Sequence, residues 1–392
     1  MKELKTIIAE HDRIDFSKRS AAIATVVKVR GSSYRSPGAR MLITDDGKWV
    51  GSISGGCLEG DALRKARQVM SSGKPMTITY DTREESNQKL GIGLGCNGVI
   101  DVLIEPVDTN HSGVVKTFRE MISRNGTYAL ATVTRSLSLT GKRYLIDDKL
   151  NALEIESDPR LTILHNELVK AFTSKKSETK TFELEGEEVD VFIEIIQPSV
   201  SLMIFGGGFD ARPVSQLAKS LGWNVTVTDE CVAHIAPVFF PDADNLSLCN
   251  RSFIDRDFNI TEYSACVLMS HNYEYDRDVL KKLLKTPTPY IGILGPRKRF
   301  DKMLHEFEEE GFSIDMTDLD RIHSPIGLDI GAETPDEIAI SIVAEIQGKF
   351  AQRSGGFLKY RSGPIHTRDK ATEQVFKQLY LSTPSDQQHN VS

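Results

Sequence analysis

The strongest constraint on the fold of this chain is the order of short segments that begins near Val200. The apolar run SLMIFG is followed by the turn GGGFDA, the helical pattern DARPVSQLAKSLG and a second apolar run, WNVTVTDE. Further short apolar runs then alternate with helical patterns as far as Phe350. Strands that alternate with helices of this length form βαβ units and a parallel sheet. We therefore predict a Rossmann-like doubly wound parallel sheet over residues 199–350.

The first strand–helix turn of this region has the composition of a dinucleotide-binding turn. Gly206, Gly208 and Ala211 occupy the three small-residue positions of GxGxxG/A. Small residues there let backbone N–H groups and the helix N-terminus approach a pyrophosphate. Asp229 ends the second strand about 20 residues later, where a carboxylate would hold a ribose hydroxyl. These residues predict a nucleotide-shaped ligand, and a purely structural tight turn is the alternative.

Two polar residues at the same edge of the sheet each have two interpretations. Asp210 suits the helix dipole but would repel a phosphate bound nearby, so its alternative role is that of an N-cap. His271, in MSHNYEYD, falls at the carboxyl ends of the strands together with the turn at 295–297. Ligands of open α/β sheets bind at that edge. We predict that His271 contacts the ligand, and the alternative is a donor that pins the loop.

The rest of the chain divides by pattern into three further segments. Residues 1–110 mix strand runs such as AAIATVVKV with a helical pattern after Leu58, which predicts an α+β domain. Residues 111–198 alternate strand and helix patterns but hold no chemical motif, so we predict a structural extension of the first domain or a homodimer surface. Residues 351–392 form a polar tail.

Two cysteines in the first segment lie in glycine-rich frames. Cys57 follows Gly55 and Gly56 in SGGCLEG, directly before the predicted helix, and Cys96 lies in GLGCNG. The positive end of a helix dipole favours a thiolate, and glycines leave the sulfur and nearby N–H groups open to a large ligand. We predict a chemical role for both cysteines. The alternative is that small cysteines pack in tight glycine turns.

The loop RGSSYRSPGAR combines arginines with hydroxyl groups. The guanidinium groups, with hydroxyls and glycine amides beside them, suit a phosphate-bearing ligand. They belong to Arg30, Arg35 and Arg40, and the hydroxyls to Ser32, Ser33 and Ser36. A solvated hairpin loop is the alternative. Cys231, Cys249 and Cys266 lie in or beside apolar strands and are predicted to be core residues.

Composition and charge exclude several classes of protein. The net charge is -7 and no basic block occurs, which argues against nucleic acid as a partner. The N-terminus has no apolar core of signal-peptide length, and no apolar run approaches the roughly 20 residues of a spanning helix, so we expect a cytoplasmic protein without a membrane partner. Five widely spaced cysteines without a CxxC pair argue against a disulfide framework and against a metal site.

Taken together, these motifs resemble the XdhC/CoxI family. The pieces ATVVKVRGSSYRSPGARMLIT, GSISGGCLEGD and GLGCNGVIDVLIEP are similar to its N-terminal domain. IFGGGFDARPVSQLAKSLGWNVTVTD, VLMSHNYEYD, YIGILGPRKR and IHSPIGLDIGAETPDEIAISIVAEI are similar to its C-terminal Rossmann domain. Many members carry a histidine in the Rossmann turn where this chain has Phe209, and this departure resembles the CoxI-like branch.

The resemblance implies a xanthine dehydrogenase accessory factor. Such a protein would bind the molybdenum cofactor (molybdopterin), assist its sulfuration with sulfur from a cysteine desulfurase, and insert it into a molybdenum hydroxylase such as xanthine dehydrogenase. It also implies that Cys57 and Cys96 contact that cofactor. A thiolate is a soft ligand suited to such a metal centre.

Two other functions stay open on the residues alone. The glycine turn and Asp229 fit an NAD(P)-dependent oxidoreductase, with NAD(P) or another nucleotide as cofactor. A nucleotidyltransferase that acts on the molybdenum cofactor is the third hypothesis, although the sequence has no carboxylate pair with a convincing Mg²⁺ spacing. The dehydrogenase hypothesis leaves the two glycine-framed cysteines without a role, so a cofactor-binding maturation factor is the leading interpretation.

Overall fold

The computed structural model of the chain describes residues 1–31, 33–82, 98–108, 113–153 and 158–361. Two compact units are present, one of Met1 and Glu3–Pro198 and one of Ser199–Arg361. The segments 1–110 and 111–198 thus lie in one unit, and the four-part division of the chain remains a proposal.

The first unit is an α+β structure. Its described elements are, in chain order, α1 (Lys2–His11), β1 (Ala21–Gly31), β2 (Arg40–Thr44), β3 (Trp49–Gly51), α2 (Glu59–Ser72), β4 (Met76–Asp81), β5 (Gly98–Val107), α3 (Gly113–Arg124), β6 (Tyr128–Arg135), β7 (Arg143–Ile146), β8 (Ala152–Leu153), α4 (His165–Ser174), β9 (Glu178–Leu184) and β10 (Glu187–Ile196). A 3-10 helix, Pro159–Leu164, leads into α4.

Two antiparallel sheets form this unit. The first has the strand order β3-β2-β1-β5-β4 and the second has the order β8-β7-β6-β10-β9. Strands β2 and β3 form a hairpin, and Gly47 adopts a φ of +90° at its turn. A positive φ is readily available to glycine, which explains the Asp-Gly pair at this position.

Helices cover the sheets through apolar stripes. Ala62, Ala66 and Val69 recur at helical spacing on α2 and are fully buried against the first sheet. The second sheet is covered by α4 in the same way. Helices α1 and α3 share a core with residues of both sheets, and Phe118 of α3 is one of its fully buried side chains. Complete burial of a large apolar side chain contributes about 1.5–3 kcal/mol, so this shared core joins the sheets into one unit.

The second unit is a doubly wound parallel sheet. Its described elements are β11 (Ser201–Phe205), α5 (Ala211–Ser220), β12 (Asn224–Asp229), β13 (Asn245–Leu248), α6 (Ile254–Asp257), β14 (Ser264–Leu268), α7 (Tyr273–Leu283), β15 (Tyr290–Ile293), α8 (Arg297–Glu309), α9 (Met316–Asp320), β16 (Ile322–His323) and α10 (Pro335–Phe350). The strand order is β13-β12-β11-β14-β15-β16, and every pairing is parallel.

Separate apolar cores lie on the two faces of this parallel sheet. One contains α5 and α10 residues such as Val214 and Ile342, and the other contains α7 and α8 residues such as Val279 and Phe307. The strand order reverses between β11 and β14, which is the position where such sheets bind ligands. The predicted fold class, an α+β N-terminal part followed by a Rossmann-like sheet, is confirmed.

Candidate functional site

The loop that carries Cys57 is held by one buried carboxylate. Glu59, in the first turn of α2, accepts hydrogen bonds from the Ser54 amide (3.0 Å), the Ser52 hydroxyl (2.9 Å) and the Leu58 amide (3.1 Å). It also accepts one from the Ser54 hydroxyl. Burial alone would raise the pKa of Glu59, but these hydrogen bonds outweigh it and hold the pKa below its usual value. The Glu59 carboxylate therefore holds both ends of the loop through hydrogen bonds.

Ser54, within this loop, completes the turn. The Ser54 hydroxyl accepts from the amides of Gly56 (3.2 Å) and Leu58 (3.1 Å). Gly56 has a φ of +110°, which other residues adopt only with strain, and no atom would contact a Cβ added there. A Cβ on Gly55 would lie 3.1 Å from the Tyr34 ring. The two glycines thus serve different needs, backbone conformation and close packing.

Cys57 lies directly before Leu58, the residue that caps α2. Its side chain is half-buried and packs against the core beneath α2. The structure thus contains both features considered from the sequence, a position at the helix N-terminus and packing in a glycine turn. Its chemical role stays a prediction. Cys96 lies outside the described residues, as does Ser32.

Arg40 has a buried partner from the second sheet. Its guanidinium forms a two-pronged ion pair with Glu194 on β10, with Nη1 3.0 Å from Oε1, and Nη1 also donates to the Gly38 carbonyl (2.7 Å). The ring of Phe118 lies 4.6 Å from the guanidinium carbon. This set of partners gives Arg40 a structural task. Its predicted contact with a phosphate stays a prediction.

Arg35 and Tyr34 line a cavity in the first unit. The cavity has a volume of about 550 Å³, within the usual range for small-molecule sites. The Arg35 guanidinium is ion-paired with Glu3 at its rim and is about one-third exposed. The lining is formed by residues of three chain segments: Met1, Glu3, Leu4, 34–40 and 194–198. Because the Tyr34 ring both lines the cavity and contacts Gly55, it connects the cavity with the Cys57 loop.

In the second unit, the glycine turn occupies the switch point of the parallel sheet. Gly206 has a φ of +114°, and a Cβ there would collide with the Ser270 backbone at the end of β14. A Cβ on Gly208 would meet only the His271 ring, at 3.6 Å. Ala211 is fully buried at the start of α5. Gly206 therefore serves close packing of two loops, whereas Gly208 leaves the helix N-terminus open.

Asp229 lies where the fingerprint predicts an acid, and its carboxylate already has partners. It accepts hydrogen bonds from the amides of Gly207 (2.9 Å) and Cys231 (2.8 Å), and His234 Nδ1 lies 3.0 Å from Oδ2. Asp229 thereby holds the backbone of the glycine turn through the Gly207 amide. Its contact with a ribose stays a prediction.

Asp210 and His271 lie together above this turn. The ring Nε2 of His271 is 3.2 Å from the Asp210 carboxylate, and the backbone of His271 is left-handed, with a φ of +59°. Asp210 occupies the N-cap position of α5, as its alternative interpretation has it, but its side chain makes no capping hydrogen bond. The Asp210 carboxylate therefore lies beside the His271 ring and not on the backbone amides of α5.

Sequence reasoning missed one acid at this edge. Asp276 is fully buried and accepts hydrogen bonds from the Ser270 hydroxyl and the Arg299 guanidinium, both at 2.6 Å. Burial raises the pKa of Asp276, against the effect of these partners. Its only sequence signal is position, four residues after the cap Asn272 on the inner face of α7.

The block IHSPIGLDIGAETPDEIA forms the end of β16, a loop and the start of α10. Glu345 of α10 binds this loop, accepting from the Gly327 amide (2.8 Å) and the Tyr290 hydroxyl (2.6 Å), with His323 Nδ1 3.0 Å away. Burial would raise the pKa of Glu345, but its hydrogen bonds with His323 and Tyr290 lower it overall. Ser324-Pro325 is a cis peptide bond. The loop of this block is thus held by Glu345, which lies further along α10, and His323 is the block's own side chain beside that carboxylate.

The remaining cysteines divide into two kinds. Cys249 and Cys266 are buried as predicted, and burial raises the pKa of both thiols, to about 12 for Cys266. Cys231 is exposed, so its assignment to the core is wrong. It follows Asp229 past the end of β12, where the chain leaves the sheet and enters a 3-10 helix.

No group of three or more His, Cys, Asp or Glu side chains suited to a metal ion occurs within the described ranges. Across the same ranges, no helix is both long and apolar enough to span a membrane.

Comparisons with known proteins agree with this architecture. Residues 202–346 match the XdhC Rossmann domain, and residues 17–81 match the XdhC and CoxI family. A Bacillus subtilis (strain 168) protein described as a probable component of xanthine dehydrogenase is 30% identical over 84% of this chain and 93% of its own length. PaoD of Escherichia coli (strain K12), described as a molybdenum cofactor insertion chaperone, is 25% identical over 84% of this chain and 83% of its own length.

A solved structure supports the same assignment. The crystal structure of a Bacillus halodurans protein described as a xanthine dehydrogenase is 30% identical and superimposes with a TM-score of 0.71. The match covers 90% of this chain and 97% of that one. On this evidence the chain belongs to the XdhC and CoxI family.

Proposed function

We propose that this protein is a maturation factor that binds the molybdenum cofactor, assists its sulfuration and inserts it into a xanthine dehydrogenase-like molybdenum hydroxylase. The observation that carries the proposal is the half-buried Cys57 in its glycine turn, joined through Tyr34 to a cavity of about 550 Å³. The description of PaoD as a molybdenum cofactor insertion chaperone supports it. In this proposal the cofactor is cargo.

The side chains of the loop suit the two ends of such a ligand. Arg35 pairs with the half-buried Glu3 near the surface, so a phosphate can compete for its guanidinium at modest cost. The Cys57 sulfur would face the metal end, because thiolates are soft ligands. Cys96 is proposed to act beside it. Gly55 and Gly56 would leave the loop amides open to the pterin.

The proposed partners follow from the same role. A cysteine desulfurase would supply sulfur to the bound cofactor, and the apo-hydroxylase would receive it. We further propose that the protein acts in the cytoplasm as a homodimer, with neither nucleic acid nor membrane among its partners.

The experiment is mass spectrometry of small molecules released from the purified protein after co-expression with cofactor biosynthesis enzymes. We expect molybdopterin from the wild type and its loss from Cys57→Ser. Cys231→Ser is the matched control, because Cys231 is the exposed cysteine of the other unit. Equal release from Cys57→Ser and wild type would remove Cys57 from the site, and no pterin in any sample would contradict the proposal.

A second candidate function rests on the Rossmann turn. Gly208 and the N-terminus of α5 leave room for a pyrophosphate at the switch point, which favours NAD(P) or another nucleotide. Ala211, Asp229 and His271 would complete that site. The proposal extends to an oxidoreductase if NADH is oxidised, and to a nucleotidyltransferase if a nucleotide alters the mass of the cofactor.

Calorimetric titration with NADH, NADPH and ATP tests this second candidate. Gly208→Val is the informative variant, since space exists for its side chain while the approach of a pyrophosphate would be blocked. Binding that Gly208→Val weakens at least about tenfold supports a nucleotide site. Hydride transfer from NADH that persists in Cys57→Ser would make the oxidoreductase the better function.

A further inference from the structure

The two sheets of the first unit have the same topology. The strand orders are β3-β2-β1-β5-β4 and β8-β7-β6-β10-β9. These orders are identical when β1 to β5 are matched, one by one, with β6 to β10. A helix precedes each set (α1 and α3), and a helix lies at the same place within each (α2 and α4). Both inner helices end at a left-handed residue, Gly73 with a φ of 65° and Lys175 with a φ of 52°.

The strand registers agree residue by residue. Thr25 pairs with Arg40 across β1 and β2, as Thr132 pairs with Arg143 across β6 and β7. An irregularity interrupts both central pairings, at Val26/Lys28 in the first sheet and at Asp190/Val191 in the second. Bulges at matching positions are specific features of a fold.

When the sequences of the two sheets are aligned by these strand registers, the positions that make contacts between the sheets carry the same residue types. IDVLIE of β5 corresponds to VDVFIE of β10, MTITYD of β4 to ETKTFE of β9, and SYRSPGAR before β2 to SLSLTGKR before β7. We call residues 21–107 the first repeat and residues 128–196 the second repeat.

The two repeats also exchange the same contacts. Arg40 of the first repeat is ion-paired with Glu194 of the second, and Arg143 of the second is ion-paired with Glu105 of the first. In each repeat the arginine Nη1 donates at 2.7 Å to the carbonyl of the glycine two residues earlier. All four ion-paired residues are buried.

A second pair of contacts between the repeats is reciprocal in the same way. The Thr179 hydroxyl donates to the Val27 carbonyl at 2.5 Å, and the Thr77 hydroxyl donates to the Thr134 carbonyl. Val27 and Thr134 are the extra residues at the two matching strand irregularities. Each repeat thus uses one surface to bind the equivalent surface of the other.

The repeats differ in the segments that carry the chemical motifs. The second repeat contains no cysteine. Where the first repeat connects β4 to β5 through residues 82–97, which include Cys96, the second uses a turn at Glu185-Gly186. The Tyr34-Arg35-Ser36-Pro37 stretch corresponds to Leu137-Ser138-Leu139-Thr140, in which Leu139 is buried.

We infer that the second repeat is a structural copy of the first that lacks its cysteines and its Cys96 segment. We also infer that Glu194 of this copy is a positioning residue for the Cys57 loop. This deepens the proposed function, because the loop that Glu194 positions is the proposed cofactor site. The inference is carried by the reciprocal Arg40–Glu194 and Arg143–Glu105 pairs.

The route from Glu194 to the Cys57 loop is short. Glu194 holds the Arg40 guanidinium, and the Arg40 carbonyl accepts the amide of Ser52, the residue that begins the loop, at 3.0 Å. Gly38 packs so closely on Glu194 that an added Cβ would lie 2.6 Å from its Oε1. The segment between Gly38 and Ser33 carries Tyr34, whose ring covers Gly55. Loss of Glu194 would therefore release both sides of the Cys57 loop.

Hydrogen exchange measured on the full chain tests the inference, with Glu194→Gln compared against Glu105→Gln. The two variants break equivalent buried pairs, so any general loss of stability should be similar. We expect Glu194→Gln to speed exchange at residues 33–40 and 52–58, and Glu105→Gln to speed it at 136–143. Equal acceleration of both regions by both variants would overturn the inference.

The rate at which iodoacetamide modifies Cys57, followed by peptide mass spectrometry, gives a second readout. We expect Glu194→Gln to raise this modification rate at least about threefold relative to Glu105→Gln, a change near the lower end of the couplings measured between interacting residues. Glu194→Asp, which retains the charge, should restore most of the wild-type rate and also serves if Glu194→Gln does not fold. Unchanged modification in Glu194→Gln, or no rescue by Glu194→Asp, would contradict a positioning role. Neither readout requires the cofactor, so this inference and the proposed function can fail separately.

Discussion

At the scale of single residues, the Cys57 loop depends on Glu59. Its carboxylate gathers donors from Ser52, Ser54 and Leu58 around one buried point. A glutamate at the start of a helix is ordinarily a surface residue that favours the dipole. Here it is 5% exposed, so it acts as the internal acceptor of the loop. The folded structure therefore favours the ionised form of Glu59.

We predict that Glu59→Gln destabilises the first unit by about 1–3 kcal/mol at pH 7, because an amide NH₂ would face donors. The pKa of Glu59 is lowered by folding, so its contribution is present above the usual pKa of about 4.3 and is lost as the pH falls. The difference in unfolding free energy between wild type and variant should stay constant from pH 7 to about pH 5 and narrow as the pH falls below about 4.3. Urea unfolding followed by Trp49 fluorescence, in a Trp223→Phe background, measures it.

Glu10→Gln is the control for this prediction, because Glu10 forms an exposed ion pair with Arg13. Exposed pairs contribute at most about 1 kcal/mol. A Glu59→Gln effect of the same small size, or one that does not change with pH, would be contrary to the role assigned to Glu59.

At the scale of elements, α10 begins with a capping box that also ends the loop from β16. The Thr334 hydroxyl accepts from the Glu337 amide at 3.4 Å, and the Glu337 carboxylate accepts from the Thr334 amide at 2.9 Å. Hydrogen bonds from the Thr334 and Glu333 amides lower the pKa of Glu337. The order of Thr334, Pro335 and Glu337 in the sequence predicts this cap, and the prediction is confirmed. Local chemistry alone sets this boundary.

We predict that Thr334→Ala destabilises the second unit by about 1 kcal/mol, the usual contribution of an N-cap side chain. Thr334→Ser should retain most of the stability, because its hydroxyl can accept the same hydrogen bond. Trp223 shares a core with Ile342 of α10, so denaturant unfolding followed by Trp223 fluorescence reports the effect. Equal stability of Thr334→Ala and wild type would show that the tertiary contacts of α10 suffice without the cap.

At the scale of the whole molecule, the two repeats make the first unit a pair of similar folds with one set of chemical groups. The second repeat supplies half of the interface and none of the cysteines. A protein built from two equivalent copies could hold two equivalent ligands. Here the matching turn at Glu185-Gly186 leaves no counterpart to the Cys96 segment.

We therefore predict that each chain binds about one cofactor, since ligand sites are few in a protein and only the first repeat carries the motifs. The ratio of released molybdopterin to protein, measured on the co-expressed sample, checks this. A ratio near two would indicate that the second repeat retains a site. A ratio near zero would count against the proposed function and not against the repeat.

The fold of the second unit could be predicted from sequence because its signals are local. The strand, glycine turn, helix and strand follow one another within a single βαβ unit, and the alternation of apolar and helical patterns sets the parallel order. The role of Gly206 was only partly predicted. Its closest contact is the Ser270 backbone, which is distant in sequence and comes near only when β11 and β14 pair.

The element types, the parallel sheet, the cap of α10 and the glycine frame of Cys57 could all be predicted from the amino-acid sequence. These depend on periodicity, backbone conformation and hydrogen bonds between near neighbours. The folded molecule was needed to show that Arg40 is buried against Glu194 and that Glu59 organises the Cys57 loop. It was also needed to match residues 128–196 with residues 21–107. Partners far apart along the chain have no local signature, because burial and pairing are set when separate strands and helices pack together.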